Sequence, residues 1–181
     1  MKGLPSYADI SLLIMHVIKS DEINDKINEL ISSELDTETA ETKAREIEMV
    51  NSTNEPENLV DLCRKVTDFH AKRTLWKKIL ENQNEAMPFL LKRFYTSSQD
   101  KYLETAALVL AYAEEKYIDE LLQNYKEIRC EYAKAVFCIV LGFRQKKSCI
   151  PFLKSEMKRM EKLHGDTDYS EAPKAALKAM N

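Results

Sequence analysis

A short apolar motif recurs in the second half of the chain at a nearly constant spacing. The segments 85–91, 116–122 and 148–154 align, with positions 87, 118 and 150 separated by 31 and 32 residues. The apolar positions that the copies share are Met87, Ile118 and Ile150, followed by Leu90, Leu121 and Leu153. Self-similarity at this period is typical of stacked helical units, each of which buries its apolar face only against its neighbours. The repeat therefore predicts a series of helix pairs sharing one apolar seam.

The composition agrees with an all-α chain. The 181 residues include only 3 Gly and 5 Pro, too few for the tight turns of a hairpin-rich β protein. Apolar and polar residues alternate with helical periodicity after residue 56, which predicts about four helix pairs. The first pair is divided near Asp68–His70, and the later pairs are Met87–Tyr95 with Tyr102–Ala113, Ile118–Ile128 with Tyr132–Phe143, and Ile150–Leu163 with Ser170–Met180. Ser98 is predicted to cap the helix Tyr102–Ala113 at its N-terminus, and Pro173 is expected in the first turn of the last helix.

The polar segment 51–55, followed by Pro56, divides the chain into an N-terminal region, residues 1–55, and a repeat region, residues 56–181. We expect the two regions to form one continuous structural unit. The N-terminal region predicts three helices, of which the third, Glu38–Val50, is polar and expected to be peripheral. The first helix, Tyr7–Lys19, is apolar around most of its circumference and must be covered on more than one side. It is a central packing helix, a homo-oligomer contact or an in-plane membrane helix. The membrane alternative is the least favoured, because anionic lipid would repel the acidic residues that flank this helix.

Charge is unevenly distributed. Residues 1–55 carry 5 basic and 12 acidic side chains, a net charge of −7, whereas residues 56–181 have a net charge of +4. The difference reflects either solubility alone or packing of the acidic front against a basic face of the array.

The run from Ile10 to Ile18 is too short to span a bilayer, and it is a poor signal peptide. Cys63, Cys130, Cys138 and Cys149 form no C-x-x-C pair, which indicates buried thiols and a cytoplasmic protein.

The second helices of the repeat resemble those of HEAT-like (armadillo-type) helical repeats in their short bacterial form. Small residues precede Leu141-Gly142, and the next helix opens with Ile150-Pro151-Phe152-Leu153; Met87-Pro88-Phe89-Leu90 matches this opening step alone. The resemblance covers about residues 56–181 and departs from the family pattern at Ala111, where Gly is usual. It implies a right-handed α-α superhelix that binds protein more often than it catalyses a reaction. A tetratricopeptide array is the main rival, but the Trp and Leu-Gly positions of its first helix have no equivalent here.

No catalytic constellation is evident, and we expect neither an enzyme nor a cofactor. The chain has no P-loop, G-x-S-x-G, H-E-x-x-H or dinucleotide-binding glycine pattern. It also lacks the His-Glu dipeptides of the metal-dependent hydroxylases that share the HEAT-like fold. The segment His164–Asp168 contains three ligand-type residues, but we interpret it as a polar loop whose Asp168 caps the last helix. His16 is interpreted as structural and His70, at a helix junction, as a cap, so no metal site is predicted.

Two surfaces are candidates for binding. Tyr102, Tyr132 and Tyr169 occupy the same early position in successive second helices, and Lys101 and Lys134 lie beside them. A tyrosine edge of this kind suits a protein or peptide partner; alternatively, each phenol closes its own helix pair.

The other candidate is a basic group that would bind nucleic-acid backbone, with Trp76 either in the core or stacked on a base. Its members are Arg64, Lys65, Lys72, Arg73, Lys77, Lys78, Lys92 and Arg93.

Overall fold

The computed structural model describes residues 40–165 and 168–180, and these are helical with no β-strand. The α-helices are α1 (Ala40–Ser52), α2 (Pro56–Leu62), α3 (Phe69–Glu81), α4 (Gln83–Thr96), α5 (Asp100–Tyr112), α6 (Glu115–Gln123), α7 (Glu131–Phe143), α8 (Ile150–His164) and α9 (Asp168–Ala179). Short 3-10 turns at Tyr125–Glu127 and Lys147–Cys149 precede α7 and α8 respectively. The helices predicted at 7–19 and from residue 20 lie outside the described residues. The all-α prediction is confirmed for the part of the chain that the structure describes.

The helix starts follow local sequence chemistry, with two departures from expectation. Pro56 begins α2, where its missing N–H has no helical partner to lose, and Asp68 caps α3 by accepting the Ala71 N–H at 2.8 Å. Ser98 does not cap α5, which starts after Gln99 without a side-chain cap. Because α9 begins at Asp168, two residues before the predicted start, Pro173 lies inside the helix rather than in its first turn.

The helices pack in two sets that alternate along the chain. In the odd-numbered layer, α1 packs against α3, α3 against α5, α5 against α7 and α7 against α9. In the even-numbered layer, α2 packs against α4 and α4 against α6, while α8 packs against α9. Apart from α6, which does not pack closely on α8, each helix that has a successor in its layer therefore contacts the helix two elements further along the chain.

Several hydrogen bonds join a side chain of one helix pair to the neighbouring helix pair. The residues that they join are separated by nearly the same number of positions as the copies of the sequence motif. Arg144, at the end of α7, donates to the carbonyl oxygens of Leu110, Ala111 and Ala113 at distances of 3.2, 3.1 and 2.8 Å. These carbonyls belong to the C-terminal end of α5, which has no further helical turn to satisfy them. Tyr125 donates to Glu156 across a separation of 31 residues, so successive units are joined by polar contacts as well as apolar ones.

The aligned apolar positions lie in the core, with one exception. Leu90, Leu121 and Leu153 are fully buried, as are Met87 and Ile118. The exception is Ile150, which is half-buried because it is the first residue of α8. The aligned apolar positions inside helices are therefore buried in the core, and only the position at the start of a helix is partly exposed.

Small residues in α7 allow an unusually close approach of α9. A Cβ atom built on Gly142 would lie 2.6 Å from Cα of Ala176 and 2.9 Å from its Cβ. Real Cβ atoms do not approach backbone carbons this closely. The prediction that small residues bring neighbouring helices together is confirmed at this position.

Helix α1 is integrated into the odd-numbered layer, although its polar sequence indicated a peripheral position. Its Glu46 is buried and accepts hydrogen bonds from the backbone N–H groups of Thr67 and Asp68, each at 2.8 Å, and from the Thr67 hydroxyl at 2.9 Å. Val50 is fully buried. A buried carboxylate with three donors anchors α1 to the start of α3, so this part of the N-terminal region shares a core with the repeat region. The division at residue 56 stays a prediction.

All four cysteines are free thiols, and three of them are buried. Cys130, which immediately precedes α7, is half-buried. Within residues 40–165 and 168–180, no helix combines the length and apolar character needed to cross a membrane.

Candidate interaction surface

The structure separates the three tyrosines of the predicted edge. Tyr102 is only 3% exposed, and its hydroxyl donates to the carbonyl oxygen of Leu90 on α4 at 2.9 Å. Burial raises the pKa of this phenol, which therefore stays protonated and hydrogen-bonded. Tyr102 closes the α4–α5 pair from inside, as in the alternative in which each phenol closes its own helix pair, and its contact with a partner stays a prediction.

Tyr132 and Tyr169 are half-buried and occupy different environments. The Tyr132 hydroxyl donates to Glu104 Oε1 of α5 at 3.0 Å, and burial followed by the nearby Glu104 charge raises its pKa. The Tyr169 ring lies against the imidazole of His164, with a centroid distance of 5.1 Å. A partner role for these two residues stays a prediction.

The lysines beside the tyrosines also differ. Lys101 is exposed at the start of α5, whereas Lys134 is half-buried and pairs with Glu131 at 2.8 Å. The same Glu131 carboxylate pairs with Arg159 of α8 at 2.5 Å. Burial acts to raise the pKa of Glu131, but hydrogen bonds from Arg159 and Lys134 outweigh it and lower this pKa to about 2.

This ion-pair network continues through α8 into the core. Arg159 also binds the buried Glu156, whose Oε1 accepts the Tyr125 hydroxyl at 2.5 Å. The carboxylates of Glu131 and Glu156 are both held by Arg159, which fixes them in a structural contact between two successive units. The network therefore joins α7 to α8.

The predicted basic group is divided among three helical segments in both layers. Arg64 and Lys65 follow α2, four members lie on α3, and Lys92 and Arg93 lie on α4. Several members are held by neighbouring groups: Arg93 pairs with Asp61 at 2.7 Å, Arg64 pairs with Asp61 at 3.3 Å, and Lys78 donates to the Asn51 carbonyl at 2.8 Å. The members that remain exposed are Arg64, Lys65, Arg73, Lys77 and Lys92.

The segment His164–Asp168 is only partly described, since residues 166 and 167 lie outside the structure's described ranges. His164 lies 3.6 Å from Glu131, and Gly165 ends α8 with a positive φ of 68°. Within the ranges that are described, no group of three His, Cys, Asp or Glu side chains could hold a metal ion.

Three aromatic side chains from consecutive helices of the odd-numbered layer form a continuous row. Trp76 of α3 contacts Tyr112 of α5 with ring centroids 4.9 Å apart, and Tyr112 contacts Phe143 of α7 at 5.3 Å. Tyr112 is 51% exposed, while Trp76 and Phe143 are half-buried. We call Trp76, Tyr112 and Phe143 the aromatic row.

The sequence analysis missed the aromatic row, although a signal was present. Tyr112 and Phe143 are separated by 31 residues and are the last residues of their helices. The stripe that Trp76 shares with Ile79 and Leu80 favours a core position, and the basic residues around it suggest base stacking as the alternative. In the structure Trp76 is half-buried, packs against the core and also contacts Tyr112.

A shallow cleft of about 440 Å³ lies where α1 ends and α2 begins. Its lining is largely polar and includes Ser52, Asn54, Asn58, Asp61 and Lys65. Met49 and Leu62 are the only fully apolar side chains in its lining, fewer than in a typical small-molecule site, so the aromatic row is the more distinctive surface.

Comparisons with protein-family models, with curated proteins and with solved structures gave no match to this chain.

Proposed function

We propose that this is a non-catalytic interaction protein whose helix pairs form a right-handed, HEAT-like superhelix and present the aromatic row to a helical segment of a protein partner. The observation that carries the proposal is the row itself. Three aromatic residues from three successive helices of one layer touch each other, and the middle one is half exposed.

The superhelical part of the proposal is supported by the packing order. Odd-numbered helices pack on odd-numbered helices along the whole described chain, and α2, α4 and α6 do the same on the other side. Contacts such as that from Arg144 to Ala113 recur near the period of the sequence motif. These features are typical of a stack in which each unit contacts only its neighbours.

The binding part is supported by the chemistry of the row. Trp and Tyr are enriched among residues that dominate binding energy, because they provide large contact areas with few rotatable bonds. Exposed Arg73 and Lys77 lie on α3, the helix that also carries Trp76. The surface therefore suits an amphipathic helix whose apolar face lies on the rings and whose flanks are acidic.

Panning a displayed library of amphipathic helical peptides against the full chain tests this function. Trp76 is the single tryptophan, so its fluorescence reports directly on binding at the row. Tyr112→Ala should weaken binding of a selected peptide by roughly tenfold or more, which is the loss expected for a central aromatic contact. The matched control is Leu163→Ala on α8, which removes the other large exposed apolar side chain among the described residues.

Two results would contradict the proposal. One is a library that yields no peptide whose binding depends on Tyr112. The other is an equal loss of affinity for Leu163→Ala, which would indicate adhesion to any exposed apolar group.

Nucleic-acid backbone binding is the second candidate, and it is favoured by the five basic side chains that remain exposed near residues 64–92. Affinity for duplex DNA that is strong at about 50 mM salt and falls steeply as salt rises would favour it over protein binding. A cytoplasmic location fits either candidate, because all four cysteines are free thiols.

A further inference from the structure

The exposed side of α8 carries lysines at regular intervals. Lys154, Lys158 and Lys162 occupy the i, i+4 and i+8 positions of this helix, and all three are exposed. We call these three residues the lysine row. Because an α-helix rises about 1.5 Å per residue, the lysines follow each other at intervals of about 6 Å along one side of α8. The row therefore presents three positive charges along a line of about 12 Å.

The carboxylates of α8 do not neutralise the lysine row. Glu156 is buried, where it binds Arg159. Glu161 pairs with Lys174 of α9 at 3.4 Å. Within the part of the chain that the structure describes, no lysine of the row has an ion-pair partner. The three ammonium groups are thus free to pair with carboxylates of another molecule.

The stability of the fold does not account for the lysine row. Like charges four residues apart on a helix repel each other and destabilise the helix slightly. A positive charge near the C-terminal end of a helix is favourable, which accounts for Lys162 but not for Lys154 in the N-terminal half of α8. The last unit of a stack needs a polar outer face, but side chains of both charges provide one equally well. The single sign of the row therefore favours a binding role.

The charges of the preceding helix in the even-numbered layer limit the kind of partner. On α6, Glu120 is exposed and Lys116 pairs with Glu114 at 2.8 Å. In the turn that follows α6, Lys126 and Glu127 are both exposed, so their charges cancel. A long polyanion or a flat anionic membrane would extend beyond the row onto this mixed surface, where it gains no attraction. A short acidic segment that covers α8 alone fits the charge distribution better.

The spacing of the lysine row suits a helical segment. Acidic residues at the i, i+4 and i+8 positions of a second helix also lie about 6 Å apart, so a helix alongside α8 can place one carboxylate opposite each lysine. The row ends beside Leu163, which is 60% exposed and offers an apolar contact next to the charges. The surface thus matches an acidic helix with an apolar residue at the edge of its charged face.

We propose that α8 binds an acidic helical segment of a partner protein through Lys154, Lys158 and Lys162, with Leu163 as the apolar contact. This surface belongs to the even-numbered layer, whereas the aromatic row is formed by odd-numbered helices. The inference therefore adds a second binding surface and does not rest on the proposed function.

A nuclear magnetic resonance titration of the full, isotopically labelled chain tests the proposal. The probe is a stapled peptide helix with Glu at the i, i+4 and i+8 positions and Leu at both ends of that face. The titration is done at about 0.1 M salt, where the Debye length of about 10 Å screens charges elsewhere on the molecule. We expect the largest changes in backbone amide signals within Ile150–His164.

A register control separates geometry from net charge. This second stapled peptide has the same composition, but its Glu residues lie at the i, i+2 and i+5 positions and so do not share a face. Its affinity should be at least about threefold lower, because it can oppose fewer than three lysines at once.

Two triple variants separate the lysine row from basic residues in general. In the row variant, Gln replaces all three lysines of the row, and its affinity for the peptide should fall by at least about fivefold, since each exposed ion pair contributes modestly. Gln is a good helix former and removes the repulsion between the lysines, so the urea midpoint should not fall. The control variant combines Lys65→Gln, Lys77→Gln and Lys92→Gln, which changes the net charge equally at three exposed positions elsewhere. Its affinity should change by less than about twofold.

Several results would overturn the proposal. They are equal binding of the two peptides, equal losses in the two triple variants, signal changes centred outside α8, and a loss of binding that accompanies a lower urea midpoint. Duplex DNA or vesicles of anionic lipid that bind through the row more tightly than the peptide would instead assign the row to a polyanion or a membrane. Self-association of the natural chain that the row variant abolishes would assign it to a second copy of the chain.

The aromatic row provides an independent readout. Tyr112→Ala should leave binding of the acidic peptide to α8 unchanged, and the row variant should retain Tyr112-dependent binding of a selected peptide. Failure of one surface in these assays is therefore distinguishable from failure of the other.

Discussion

Replacing Gly142 by Ala should destabilise the protein, although alanine is the better helix former. In an unobstructed helix interior, this exchange gains about 0.5–1 kcal/mol. Here the new Cβ would lie 2.6 Å from Cα of Ala176, a backbone atom of α9 that cannot rotate away. Overpacking costs roughly 1–3 kcal/mol, so we expect a net loss of about 1–2 kcal/mol in the free energy of unfolding.

Urea denaturation followed by circular dichroism measures this loss. The matched control is Ala111→Gly, which makes the reverse exchange one repeat earlier, 31 residues before Gly142. We expect it to destabilise as well, by about 1 kcal/mol, because Ala fits there and Gly adds backbone entropy to the unfolded chain.

A double variant sharpens the test. Adding Ala176→Gly to Gly142→Ala removes the contact at 2.9 Å between the two Cβ atoms but leaves the contact with Cα. The rescue should therefore be partial. A Gly142→Ala variant as stable as the natural chain, or more stable, would refute the close approach of α7 and α9.

Three further predictions concern packing, thiols and charge. Ala107→Leu should lower the free energy of unfolding by about 1–3 kcal/mol, since Ala107 is fully buried; unchanged stability in urea would contradict the position of the inner face of α5. In a maleimide time course read by mass spectrometry, Cys130 should react well before Cys63, because burial raises the pKa of Cys63 to about 12 and shields its sulfur; equal rates would contradict this order. Glu131→Gln should destabilise the protein at neutral pH, and its deficit relative to the natural chain should shrink as pH falls from about 5 towards 2, because a carboxylate with a lowered pKa loses its contribution on protonation. A deficit that grows on acidification would show that the ion pairs with Arg159 and Lys134 do not hold the charged form.

Much of the helical framework was predictable because it depends on local chemistry and on one repeated apolar pattern. Pro56 marks the start of α2, and Asp68 marks the division within the first pair. Leu90, Leu121 and Leu153 are buried because helical periodicity places the same position of each unit on the same face. The small residues that end at Gly142 likewise predict the close approach of a neighbouring helix.

The candidate surface was less predictable because it depends on how helices lie side by side. Tyr102 is the third residue of α5 whereas Tyr132 is the second residue of α7, and one bonds to a carbonyl of α4 while the other bonds to a carboxylate of α5. Trp76 and Tyr112 are 36 residues apart, which does not match the period of 31, so alignment alone does not pair them. A count of basic residues also does not show that Arg93 pairs with Glu57 and Asp61 of α2.

The contacts within the aromatic row test the central claim, the side-by-side stacking of odd-numbered helices, most directly. Nuclear Overhauser effects in the full chain, with selectively labelled aromatic residues, measure these contacts. The centroid distances of 4.9 and 5.3 Å predict cross-peaks from the Trp76 indole to Tyr112 and from Tyr112 to Phe143. A folded, helical protein in which Tyr112 shows neither cross-peak would contradict the stacking of α3, α5 and α7 and the binding surface that depends on it.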